Sequence, residues 1–229
     1  MRLQHPTYSK PPIVEVALEV RFDGPWREED KERLQDRFGV TYTGKPQRVP
    51  HFGNNPVALD TTLLPSDDGS RFVGIAARLL TIHALEPYPG WKEFKEQASD
   101  AINVYVRTLT PIGICGLGIR YLDRIVLPAK TVLLRQYFTC IPRRPRDLQA
   151  LHGAHVILKS EESGLKSFLT VACDKDDEGP CVLYDISLER DFTPSVPINN
   201  WQAISDDLHT RQRDIFEDSI TEKTRGLFV

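Results

Sequence analysis

The stretch Trp91-Lys-Glu-Phe94-Lys-Glu-Gln-Ala98-Ser-Asp-Ala-Ile102-Asn-Val-Tyr105-Val-Arg-Thr-Leu109 decides the fold class. Its apolar residues Trp91, Phe94, Ala98, Ile102, Tyr105 and Leu109 step by three or four, which places them on one face of an α-helix. Pro87, Pro89 and Gly90 punctuate its start, and Pro111 and Gly113 its end. Upstream, Arg71 to Leu85 reads as one long strand. The same order returns near the C-terminus. Cys181 to Glu189 alternates through Val182, Tyr184, Ile186 and Leu188, and a proline-rich turn at 194–200 leads into a helix predicted from Asn200 or Trp201 to Arg225. Its stripe is Trp201, Ile204, Leu208, Ile215, Phe216 and Ile220, with Gly226 as the stop. Setting Trp201 on Trp91, an offset of 110, aligns Ile204 with Phe94, Leu208 with Ala98 and Ile215 with Tyr105. The repeat predicts an α+β fold: two related halves of twisted antiparallel sheet, each covered by a long amphipathic helix and descended from one duplicated unit.

Other segments fit that frame. In Ile13 to Phe22, Val14, Val16, Leu18, Val20 and Phe22 share one face, while Glu15, Ala17, Glu19 and Arg21 share the other, so a half-buried strand is expected. A helix follows from about Trp26 to Phe38, with Asp23 as its cap and Gly39 as its stop. From Thr41 to Gly69 prolines and glycines dominate, and only Val57 to Leu64 reads as a strand. Ile114 to Leu127 alternates again, with Asp123 in an apolar phase, which calls for a β-bulge or a buried hydrogen-bond donor. Three further strands are expected at about Ala154 to Ser160, Ser167 to Asp174 and Cys181 to Glu189. The predicted organisation is an N-terminal half over 1–128, a connector over 129–150 and a C-terminal half over 151–229, integrated into one unit.

Composition bounds the function. The chain has 229 residues, 27% of them charged, and a net charge of -3, so no global field favours nucleic acid or an anionic membrane. No apolar leader or 18-residue apolar run is present, and a cytoplasmic protein is expected. Cys115, Cys140, Cys173 and Cys181 have neither redox nor zinc-knuckle spacing and read as free thiols. A zinc site from Cys140, His152, His155 and Cys173 is conceivable, but the reading adopted has no metal and no cofactor. There is no GxSxG elbow, no P-loop and no GxGxxG between strand and helix.

Three groups of residues are candidates for function. Glu15 and Glu19 lie on the polar face of the first strand and Arg120 and Arg124 on that of the central one, so cross-strand pairs around a polar cleft, with Asp123 beside them, would suit an anionic or zwitterionic ligand. Arg143, Arg144 and Arg146 form a proline-broken basic run able to touch a phosphate backbone. Leu227, Phe228 and Val229 form an apolar tail that packs on the sheet or reaches a partner.

Tyr8-Ser-Lys-Pro-Pro-Ile-Val-Glu15, Arg120-Tyr-Leu-Asp-Arg-Ile125 and Leu208-His209 with Phe216, Ile220 and Thr221 together resemble an uncharacterised, sporadically distributed bacterial family of about this length. In that family the central motif more often ends Asn-Arg-Ile, so Asp123 departs from the pattern. The resemblance implies bacterial origin, and the scattered distribution suggests a mobile or defence-related gene. Three readings follow: a non-catalytic binding or regulatory protein, such as an antitoxin, immunity or accessory subunit with a protein partner or a second copy of itself; a small-ligand sensor or enzyme using the polar cleft; and a nucleic-acid-binding accessory protein.

Overall fold

The computed structural model describes residues 6–51, 59–128, 133–141, 155–162, 164–176 and 179–229. In chain order the elements are β1 (Ile13–Asp23), α1 (Glu28–Phe38), β2 (Gln47–His51), β3 (Leu59–Pro65), β4 (Arg71–Ala76), β5 (Leu79–Leu85), α2 (Trp91–Leu109), β6 (Gly113–Val126), β7 (His155–Glu162), β8 (Leu165–Asp176), β9 (Gly179–Val196), α3 (Trp201–Ser219) and α4 (Glu222–Arg225). The nine strands among the described residues join one antiparallel sheet in the order β2-β3-β4-β5-β1-β6-β9-β8-β7. The fold is therefore α+β, with a single large antiparallel sheet.

The period-two alternation of β1 puts Val16, Leu18, Val20 and Phe22 under the helices, where all four are buried. Helix α2 lies on β5 and against α1, while α3 lies on β6 and β9. Phe94, Ala98, Ala101, Ile102 and Tyr105 form the buried face of α2, and Tyr105 stacks on Phe22 of β1 at 4.1 Å between ring centres. Each large apolar side chain buried in this way contributes roughly 1.5–3 kcal/mol, so the helix-covered face supplies most of the stability. The sheet surface turned away from the helices carries the polar phase of every central strand.

Several elements differ from the sequence reading. Arg71 to Leu85 is a hairpin, because the chain reverses at Ala77-Arg78 with Arg78 at φ 58°. The start of helix α1 is closed by Asp30, whose carboxylate accepts from the Arg27 amide at 2.9 Å while its own amide donates to the Arg27 carbonyl at 3.1 Å; Asp23 instead accepts from the Ser195 hydroxyl at 2.8 Å. The last helix stops at Ser219, because Ile220 turns extended and pairs with Phe138, and α4 restarts after Thr221. Its buried face is Trp201, Ser205, Leu208, Gln212, Phe216 and Ser219, with Ile204 and Ile215 only half-buried. Within the stretch expected to be a connector, Tyr137 and Phe138 are buried against the end of α3. No helix among the described residues is long and apolar enough to cross a membrane.

Candidate functional site

The uncovered face of the sheet forms a cavity of about 390 Å³ whose lining comes from six consecutive strands, β5, β1, β6, β9, β8 and β7. Strands lie about 4.8 Å apart, so a flat sheet would hold β5 and β7 roughly 24 Å from each other. Thr81 and His83 of β5 line the same cavity as Ile157 and Lys159 of β7, so the sheet must curl around this face. Small residues keep the floor low. A side chain at Gly118 would meet Glu189 at 3.3 Å, and the space above Gly116 is filled by the Arg21 guanidinium.

The charges of this face are organised in pairs. Glu15 accepts from Nδ1 of His83 at 2.8 Å, and Nε2 of the same ring lies 2.9 Å from the Thr81 hydroxyl. That hydrogen bond, with the nearby charges of His83 and Arg120, holds the Glu15 carboxyl below its ordinary range despite burial. Phe72 stacks on His83 at 4.2 Å and fixes the ring plane. Arg120 makes a two-pronged contact with Asp185, at 2.9 and 2.8 Å, the geometry in which a guanidinium binds a carboxylate most firmly. Arg21 reaches Asp191 at 2.7 Å and Glu19 at 3.3 Å, and Lys166 also meets Asp191 at 2.7 Å. Lys159 lies 5.7 Å from the centre of the Phe168 ring.

Thr81, His83 and Glu15 thus form a hydroxyl–imidazole–carboxylate chain, the connectivity used to activate a nucleophile. Thr81, however, is only 3% exposed, and the backbone amides of β5 point into its two ladders rather than toward a developing oxyanion. The chain suits holding polar groups in place better than it suits acyl transfer.

The structure gathers Glu15, Glu19 and Arg120 on this face, with Arg124 in the same strand phase. Their partners come from elsewhere than the sequence suggested: Arg120 pairs with Asp185 of β9 and Glu15 with His83 of β5. His83, Asp185, Lys159 and Ser187 escaped the sequence reading. Their signal was present in the polar phase of β5, β7 and β9, but only the strand order places those phases together. Asp123 is on the opposite, helix-covered face, 2% exposed. Phe228 is buried, packs edge-on against Tyr8 at 5.1 Å and stacks near Phe216, while Leu227 is half-buried and Val229 is 80% exposed. Arg143, Arg144 and Arg146 lie outside the described residues, as does His152. Among the described residues no group of three or more His, Cys, Asp or Glu is placed to hold a metal ion. No protein-family model matches the chain, and no curated protein matches it.

Proposed function

We propose that this is a non-catalytic binding protein whose curled sheet face holds a small zwitterionic ligand, of the size and charge pattern of an amino acid or the end of a short peptide. The observation that carries this reading is the presence of both signs in one cavity of about 390 Å³: Arg120 and Lys159 against Glu19, Asp185 and Glu189. The excess of carboxylates disfavours a simple anion, because like charges at close range cost more than the pocket's two cations return. The paired state of Arg120 and Asp185 keeps both ready in fixed positions, so little ordering cost is left for binding.

The two-half reading of the fold belongs to this proposal. Outward from the β1–β6 seam, the order β1-β5-β4-β3 on one side repeats as β6-β9-β8-β7 on the other, and β5 and β9 each lead to a 19-residue helix headed by tryptophan. Such repetition supports an ancestral duplication, with the cavity spanning the seam.

The test is thermal unfolding with a panel of free amino acids and dipeptides, repeated in Lys159→Ala and Glu19→Gln. A ligand present at about 100 times its dissociation constant stabilises by about 2.7 kcal/mol, a shift of several degrees. At least one member of the panel is expected to give that shift, and the two variants to lose most of it. A panel without effect at millimolar concentration, or a shift that survives both changes, would overturn the reading.

A further inference from the structure

The two edge strands of the sheet differ in kind. β2 is five residues long and carries Pro50, which has no N–H to offer another strand. β7 runs for eight residues without a proline, and among the described residues it pairs with β8 alone. One row of its backbone N–H and C=O groups therefore faces outward, in the form that accepts a further strand. The side chains from 157 to 162 are all exposed. Ile157 and Leu158, at 52% and 44% exposure, set two large apolar groups next to each other on this edge.

The charges of β7 select which strand fits. Ile157 and Lys159 both line the curled face, and the period of two places Glu161 in the same phase, with Leu158, Ser160 and Glu162 in the other. A lysine midway along an edge guards against stray strands, because an apolar partner would have to desolvate it. A second β7, run antiparallel about a two-fold axis through Ser160, removes that penalty. Such an axis stands perpendicular to the sheet and keeps each phase on its own side. Ser160 then meets Ser160, Lys159 meets Glu161 of the second copy, and Glu161 meets Lys159 of the second copy. A pairing centred on Lys159 would set the two lysines against each other, and one centred on Leu158 would set each lysine against Ile157. Within the hairpin Lys159 stands opposite Phe168 and Glu161 opposite Lys166. The second copy supplies each with a neighbour of opposite charge on its outer side.

We propose that β7 is a self-association edge: two copies of this chain join β7 to β7, antiparallel, across reciprocal Lys159–Glu161 pairs, into one continuous sheet. A single strand-to-strand contact is small, so the dimer is weak, with a dissociation constant on the order of 10 µM. The arrangement does not rest on a ligand in the curled face.

The test is sedimentation velocity of the full chain without ligand, from about 5 to about 500 µM. The native chain is expected to pass reversibly from monomer to dimer over this range. Lys159→Glu makes the curled side of the edge doubly acidic and Glu161→Lys makes it doubly basic, so each variant alone is expected to dimerise at least tenfold more weakly. An equimolar mixture of the two variants restores both opposite-charge pairs and is expected to dimerise at least as tightly as the native chain. A variant weakened by damage to its own hairpin would not be rescued by mixing. Monomers throughout the range, a dimer that both variants leave unchanged, or a mixture no tighter than its components would each overturn the proposal. These masses are measured without ligand, so they leave the sheet-face reading untouched, and failure of the amino-acid panel leaves them untouched in turn.

Discussion

At pH 8 the Asp123→Asn variant unfolds at a higher temperature than the native chain, and the advantage disappears near pH 4. Burial pushes the Asp123 carboxyl up to about 8, with the charge of Asp185 adding to the effect. An unfolded aspartate titrates near 3.9. Between the two values the unfolded chain has released its proton and the folded chain has kept it, so the folded state binds more protons and its stability falls as pH rises. Below about 4 both states are protonated and the penalty is absent. Above about 8 it is complete. Asparagine carries no such linkage, although its buried amide, left without partners, costs about 1–3 kcal/mol of its own. A net gain of about 2–3 kcal/mol at pH 8 is expected, turning into a small loss near pH 4. The charged and titratable groups around the site, Tyr8, Tyr88, Tyr121, His209, Arg213 and Glu217, remain in both proteins and cancel in the difference between the two pH profiles. Parallel profiles for the native chain and the variant would mean that Asp123 is ionised in the folded state at neutral pH.

The largest loss is expected from Tyr184→Ala. Tyr184 is completely buried on β9, stacks on Phe138 at 5.5 Å and meets Phe216 edge-on at 5.9 Å. Its hydroxyl donates to that of Ser219, which in turn donates to the Ile215 carbonyl at 2.5 Å. One side chain thus joins the sheet, the 133–141 segment and the end of α3. Removing the ring leaves a cavity whose cost is about 4 kcal/mol, whereas Tyr184→Phe loses only the hydroxyl, about 1 kcal/mol. Chemical denaturation separates the two. Similar losses in both would assign the stabilisation to the hydroxyl pair rather than to the aromatic packing.

Much of this architecture was legible because it rests on period. The alternation of β1 and the three-and-four spacing of α2 each define a face, and a face must be buried against something. The hairpin at Ala77-Arg78 was hidden because neither residue is a turn former and the two apolar runs it joins abut without a break. The stop at Ile220 was hidden because that residue continues the apolar stripe; it leaves the helix to pair with Phe138, a contact 82 positions away in the chain. In α3 the buried positions hold Ser205, Gln212 and Ser219, and the two serines sit inside by donating to carbonyls of their own helix, Ser205 to Gln202 at 2.9 Å and Ser219 to Ile215 at 2.5 Å.

The candidate sites divide along the same line. Glu15, Glu19 and Arg120 were legible as one polar phase, since phase is a property of each strand alone. Their true partners, His83 and Asp185, were not, because partnership depends on which strands become neighbours and in what register. Asp123 was legible as an anomaly, and the burial of its Oδ2 without a hydrogen-bond partner emerged only once the helices were placed over its face.

The proposed ligand-binding surface is the curled sheet face. Backbone amide signals recorded by NMR during titration with the most stabilising amino acid or dipeptide test it directly. The shifts are expected to concentrate at Glu19, Thr81, Gly118, Arg120, Asp185 and Ser187, which line the 390 Å³ cavity. Shifts confined to the helix-covered side, or spread without focus along the sheet edges, would contradict it.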